Sequence, residues 1–195
     1  TPGATFRHVS DDRYEVNPAS AEDFERLVAA TGVGRLGHVV HLWGLNEARG
    51  ASARERAVGP LGSALHLTRA LASQGAAVRL CWVTRGGQPA GGVAPEPEAA
   101  LLWGFAKTVA LEHPELQPMC LDLDPCTHPG EAEELLSTIL DAGAEDQLAL
   151  RGGARLAARL VVPPRRASSE PYELTFTARG TLDNLIVRPL ERRPP

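Results

Sequence analysis

Residues 77–124 read AVRLCWVTRGGQPAGGVAPEPEAALLWGFAKTVALEHPELQPMCLDLD. The stretch opens on an apolar run, 77–84, whose Val78, Leu80, Trp82 and Val83 predict a buried strand. Residues 85–93 carry four glycines and one proline, a composition that predicts a flexible loop running over the edge of a sheet. Pro95-Glu96-Pro97-Glu98 then supplies an acidic, proline-bearing helix start. The helix runs through Leu101, Leu102, Trp103, Phe105, Val109 and Leu111 until His113-Pro114 breaks it. Residues 118–123 predict the next strand. Strand, crossover helix and strand in that order make a parallel pair.

The same alternation extends in both directions. Upstream, a short strand is expected around 14–16, ending at Asn17-Pro18. Ser20-Ala21-Glu22-Asp23 has the form of an N-cap with an acidic first turn. It opens a helix with Phe24, Leu27 and Val28 on one face, and Gly32 stops it. Residues 38–43 predict a buried strand closed by Gly44. A polar, Arg-rich loop is expected over 46–58, with Pro60 starting a helix that turns Leu61, Leu65, Leu67 and Leu71 inward. Downstream, 131–140 is an amphipathic helix, and short strands are expected at 147–150, 156–162, 172–177 and 184–187. The fold class is therefore α/β: a truncated Rossmann-like, mainly parallel, doubly wound sheet with a β-rich carboxy-terminal tail. The expected division is 1–162 for the Rossmann-like unit and 163–195 for a strand-bearing exit segment.

Composition removes several functions. The net charge of -4 argues against a nucleic-acid surface or a basic membrane patch. No apolar run approaches the ~18 residues of a membrane span. Residues 1–9 carry no basic n-region followed by an apolar segment, so no signal peptide is read there. Cys81, Cys120 and Cys126 are an odd number, which reads as reduced cytoplasmic thiols rather than a disulfide framework. Lys107 is the single lysine, and Tyr14 and Tyr172 are the two tyrosines.

Those last counts decide the reductase question. Short-chain reductases use a tyrosine acid tuned by a lysine one helical turn later, because that spacing puts the cation beside the phenol. Four residues after Tyr14 stands Pro18, four after Tyr172 stands Phe176, and four before Lys107 stands Trp103. An indole cannot give up and regain a proton as a phenol does. No catalytic residue is assigned to this chain.

The other motifs resolve similarly. Gly32-Val33-Gly34-Arg35-Leu36-Gly37 is a literal G-x-G-x-x-G. A pyrophosphate cradle needs a strand before it and a helix after it, and the predicted order here is the reverse. The glycines read as a helix cap and a tight bend, and no cofactor-binding residue is assigned. The alternative is a self-sufficient NADP-binding reductase using this run, with Glu55 near the ribose-binding spacing. Cys120, Cys126 and His128, even with His41, match no common ligand spacing, so no metal site is assigned. None of the serines sits in a G-x-S-x-G elbow. Glu112-His113 reads as a helix end, and Asp122 with Asp124 as a strand end favouring capping or solvation over paired acid–base chemistry. Arg54, Arg56 and Arg165-Arg166 offer a further alternative, docking of a carrier protein.

Leu102-Trp103-Gly104-Phe105-Ala106-Lys107-Thr108-Val109-Ala110-Leu111-Glu112-His113-Pro114-Glu115, with Leu121-Asp122-Leu123-Asp124-Pro125, resembles ketoreductase regions of modular polyketide synthases. The resemblance is to their structural subdomain. Val39-Val40-His41-Leu42-Trp43, Glu145-Asp146-Gln147 with Arg151-Gly152-Gly153, and Ala158-Arg159-Leu160 agree in order. Gly180-Thr181-Leu182-Asp183-Asn184-Leu185, then Arg192-Arg193-Pro194, resembles the exit towards an enoylreductase domain. The resemblance implies a truncated Rossmann fold without its own catalysis or cofactor, kept as scaffold in a ketoreductase or pseudo-ketoreductase. It implies a catalytic partner half, holding NADPH, docked through helix 98–112, with Trp103 and Lys107 a relic of the catalytic spacing. Ala178-Arg179 depart from the family's usual residues before Gly180.

Overall fold

The computed structural model describes residues 1–45, 52–92, 94–141, 143–162 and 172–190. The chain divides into two compact units, Thr1–Ala158 and Arg159–Pro195. The first begins with an antiparallel hairpin, β1 (Arg7–Ser10) and β2 (Arg13–Glu15), in which Tyr14 stacks on Phe6 and His8. Helix α1 (Ala21–Thr31) follows, with the Ser20 hydroxyl accepting from the Asp23 amide at its start. Gly32, at φ 76°, ends it by donating its amide to the Val28 carbonyl, a backbone angle open to glycine without strain.

A five-stranded sheet forms the body. Its spatial order is β3 (His38–His41), β4 (Arg79–Arg85), β5 (Met119–Leu123), β6 (Gln147–Arg151) and β7 (Ala154–Ala157). The first four are parallel, and β7 returns antiparallel to β6. The crossovers are α2 (Ala53–Ser73), α3 (Pro97–Glu112) and α4 (Glu131–Leu140). Strand periodicity sorts the core into two layers. Leu80, Trp82 and Cys120 face α1, α2 and α3, where Phe24, Val28, Leu67, Leu71, Leu102, Trp103 and Val109 are buried. Cys81, Val83, Met119, Leu121 and Leu123 face the other side with Ile139 of α4, so helices cover both faces and the sheet is doubly wound.

Three local expectations are corrected. Helix α2 starts at Ala53, with Pro60 inside it rather than at its head. The cause is a capping box: Ser52 accepts from the Glu55 amide, and the Glu55 carboxylate accepts from the Ser52 amide at 2.8 Å. Within the expected Arg-rich loop 46–58, residues 46–51 lie outside the described residues. The strand expected at 156–162 is β7, because Gly152 and Gly153, at φ 55° and 78°, make a two-residue hairpin turn between Arg151 and Ala154. Finally, loop 86–92 is held by side chains, as described below, rather than lying loose.

The second unit contains one described hairpin, β8 (Tyr172–Phe176) with β9 (Leu185–Pro189). Gly180-Thr181-Leu182-Asp183-Asn184 forms its connection, closed by the Thr177 amide donating to the Asn184 carbonyl at 3.1 Å.

Candidate functional site

In open α/β folds, ligands bind outside the carboxyl ends of the strands, where the strand order reverses and a crevice opens. Here β3 to β7 stand side by side in chain order, so the described sheet contains no reversal. At the carboxyl ends of β4, β5 and β6 stands a polar network of the chain's own groups. Asp122, fully buried on β5, accepts from the Thr84 hydroxyl at 2.5 Å and from the amides of Gly87 and Gln88 at 2.8 and 3.1 Å. Its carboxylate also forms a short ion pair with Arg151, whose guanidinium is itself nearly buried.

Arg151 does more than neutralise Asp122. It donates to the carbonyls of Asp122, Leu123 and Leu150 at 3.0, 2.8 and 2.8 Å, and to those of Gln88 and Ala90 at 3.2 and 3.3 Å. The planar fork thereby ties β5, β6 and loop 86–92 into one unit. Gly87 packs closely there: a Cβ would lie 3.0 Å from the Ala99 Cβ and 3.3 Å from Asp122 Oδ1. A second pair, Arg85 bidentate to Glu131 at 2.7 and 2.5 Å, joins the end of β4 to the start of α4. That hydrogen-bonded guanidinium holds the Glu131 carboxyl below its ordinary range. Beside the network lies a cleft of about 390 Å³, lined by Gly44, Arg56, Arg85, Glu96, Glu98 and Leu102 among others. Arg56 and Glu98 pair across it at 2.8 Å.

Trp103 is buried in α3, and its Nε1–H donates to Thr84 Oγ1 at 3.0 Å. The indole thus stands where a tyrosine would precede Lys107 by one turn, fixed to the polar network, while Lys107 is exposed. Tyr14 lies in the amino-terminal hairpin and Tyr172 in the second unit. The run 32–37 follows a helix, passes through a single 3-10 turn (Val33–Arg35) and enters β3. That is the reverse of the order a pyrophosphate cradle needs, so the residues present do not fit a dinucleotide there.

His41, near the end of β3, is buried, with Nε2 2.8 Å from the Ser63 hydroxyl. Ser63 gives its own proton to the Pro60 carbonyl at 2.9 Å, so His41 donates through Nε2. Burial pushes its pKa down to about 4. Cys120 is buried in β5, its thiol pushed well up by desolvation, whereas Cys126 is exposed in the turn after Pro125. Among the described residues no group of three or more His, Cys, Asp or Glu side chains is arranged to hold a metal ion. Asp122 and Asp124 have different partners: Asp122 is bonded within the network above, while Asp124 accepts from the amides of Cys126 and Gly152, which hold its carboxyl low. Glu112 ends α3, and His113 caps it with Nδ1 3.0 Å from Glu115. Arg54 is exposed, while Arg165 and Arg166 lie outside the described residues. Among the described residues no helix is long and apolar enough to cross a membrane.

Sheet order, two-sided helix cover and a polar network at the carboxyl end define a truncated Rossmann-like α/β domain. Residues 4–160 match the family described as "Polyketide synthase extender module SpnB, Rossmann fold domain". The chain belongs to that family, the Rossmann domain of the ketoreductase region of modular polyketide synthases. It is 35% identical over 188 residues to polyketide synthase GfsA of Streptomyces halstedii, covering 93% of this chain and 2% of that protein. Erythronolide synthase EryA3 of Saccharopolyspora erythraea is 34% identical over 136 residues, covering 67% of this chain and 4% of that protein. The chain thus spans a few hundredths of the length of these curated relatives. Among solved structures, an A1-type ketoreductase superposes with a TM-score of 0.67 at 30% identity, covering 82% of this chain and 34% of that one. A-type ketoreductases from a modular polyketide synthase give 0.62 at 28% identity, covering 81% of this chain and 35% of the matched chain.

Proposed function

We propose that the chain is the non-catalytic structural half of a polyketide synthase ketoreductase region, active or pseudo, acting as scaffold for neighbouring reductive domains in the cytoplasm. The carrying observation is Trp103: the acid position before Lys107 holds an indole whose N–H is bonded to Thr84. The unbroken strand order, and the Asp122–Arg151 network at the carboxyl ends of β5 and β6, support a reading without a cofactor site in this half. NADPH belongs in this reading to the catalytic half of the parent.

Docking of that half is supported by α3. Leu101, Gly104, Thr108 and Leu111 follow one line along its outer face, and Leu111 is 86% exposed. On neighbouring α2, Val58 and Leu65 are exposed in the same manner. Residues 163–195 serve as the exit segment towards an enoylreductase domain. The test is an equilibrium titration with NADPH, monitored by nucleotide fluorescence. No saturable binding is expected. A micromolar dissociation constant abolished by Gly34→Ala would overturn the reading.

A further inference from the structure

Strand β3 is one edge of the five-stranded sheet, and no strand lies beyond it among the described residues. The Gly37 carbonyl accepts from the Arg79 amide at 3.0 Å, which sets the parallel ladder so that residues 37, 39 and 41 bond to β4. The amides and carbonyls of His38 and Val40 therefore point outward, and no backbone group of the described residues bonds to them. Edge strands of soluble proteins are ordinarily blunted by a charged side chain, a proline or a bulge. The other edge, β7, carries Arg155, which donates to the Asp141 carbonyl at 3.3 Å. His38-Val39-Val40-His41 holds no lysine, arginine, proline or bulge, and Val40 is 37% exposed.

Beside this edge lies a cleft of about 620 Å³, lined by every residue from Val39 to Trp43, by Leu27 of α1 and by Tyr14 of β2. Five successive residues on one wall give it the length of a short strand, ~17 Å at ~3.3 Å per residue. Asp11 and Asp12, adjacent in the turn between β1 and β2, also line it. Neither carboxylate has a hydrogen bond or ion pair among the described residues. The cationic groups on the wall are Arg35 and the Thr1 amino group, which is already bonded to the Tyr14 carbonyl. We infer that the β3 edge takes an added strand. An extended segment of a partner polypeptide lies in the cleft, its backbone pairing with His38 and Val40 and a basic residue beside it meeting Asp11 and Asp12. The outward backbone groups select an extended peptide, because donors and acceptors repeating every second residue are what such a chain presents. The two unpaired carboxylates select its charge.

The test is fluorescence anisotropy of the labelled peptide Lys-Lys-Val-Thr-Val-Thr-Val and of its reverse-order counterpart, each titrated with the 195-residue chain at low salt. Saturable micromolar binding is expected for one strand direction, with the Glu-Glu version at least about tenfold weaker. An added strand uses every second amide. N-methylation of one alternate set, valines or threonines, should therefore weaken binding at least about tenfold, and of the other set less than about twofold. Asp11→Lys/Asp12→Lys should exchange the preference between the Lys-Lys and Glu-Glu peptides without changing the melting of the chain. Val40→Pro, which removes an outward amide, should weaken both. Absence of saturable binding, equal effects of the two methylation sets, or a preference untouched by the charge reversal would overturn the inference. So would a concentration-dependent dimer of the chain, read by sedimentation and abolished by Val40→Pro, since the edge would then belong to a second copy.

Discussion

Replacing Arg151 by methionine keeps much of the side chain's volume and deletes its charge and donors. Asp122 is then left as a buried carboxylate held by one hydroxyl and two amides, and five carbonyls lose a donor. Removing one partner of a buried, hydrogen-bonded ion pair costs about 3–5 kcal/mol, chiefly because the remaining charge is uncompensated. That is a large share of the ~5–15 kcal/mol that holds a typical domain folded. Urea unfolding followed by tryptophan fluorescence should show the midpoint falling without a change in slope, and melting should drop by on the order of 10 °C. Arg151→Lys should recover only part, since an ammonium carries a charge but not the planar fork that reaches both strands and the loop. The double variant Asp122→Asn/Arg151→Met should lose less than the two single losses added together, by more than about 1 kcal/mol. A loss below about 1 kcal/mol for Arg151→Met, or strict additivity, would refute the claim that this pair organises the carboxyl end of the sheet.

Further outcomes follow from the same contacts. His41 has its pKa lowered to about 4 by burial, so the unfolded chain binds the extra proton first as pH falls below about 6.5. Stability attributable to His41 is complete above that value and declines towards pH 4; between pH 7 and 5 the loss should be about 2 kcal/mol. His41→Gln should flatten that slope in urea titrations at the two pH values, and an unchanged slope would assign it elsewhere. Gly44→Ala would put a Cβ 2.7 Å from the Val83 carbonyl oxygen and 2.9 Å from Leu102 Cδ1. The overpacking should cost about 1–3 kcal/mol in the same assay. Trp103→Tyr restores a phenol one turn before Lys107, yet no ketone-dependent NADPH oxidation above background is expected. Turnover in that variant would show that the chain retains a cofactor site.

The alternation of strands and helices was legible because each element carries its own period. The tryptophan-bearing helix and the apolar runs at 77–84 and 118–123 needed nothing beyond local sequence. Gly32 was legible as a cap because an amphipathic face ended just before it. The start of α2 was obscured by an Arg-rich composition, although Ser52-Ala53-Arg54-Glu55 is the capping-box pattern that would have revealed it. Gly152-Gly153 likewise announces a two-residue turn once its strands are known. The Asp122–Arg151 network was out of reach, because the partners stand 29 positions apart and only the parallel register of β5 and β6 brings them together. The one local hint was an acidic residue inside the otherwise apolar Met119-Cys120-Leu121-Asp122-Leu123. A charge in such a run needs a buried partner, and the sequence does not say which.

The side-by-side strand order has a kinetic consequence. Because spatial neighbours are also successive in the chain, each strand that leaves the ribosome meets the one finished just before it. No early strand waits with an open edge for a distant partner, so loop-closure costs stay small and assembly proceeds in the direction of synthesis. Insertion of Arg151 against Asp122 can occur only once β6 has docked, leaving β7 to pair after it. In chain order the ion pair thus closes after the pairing of β3, β4 and β5, and before β7 is added.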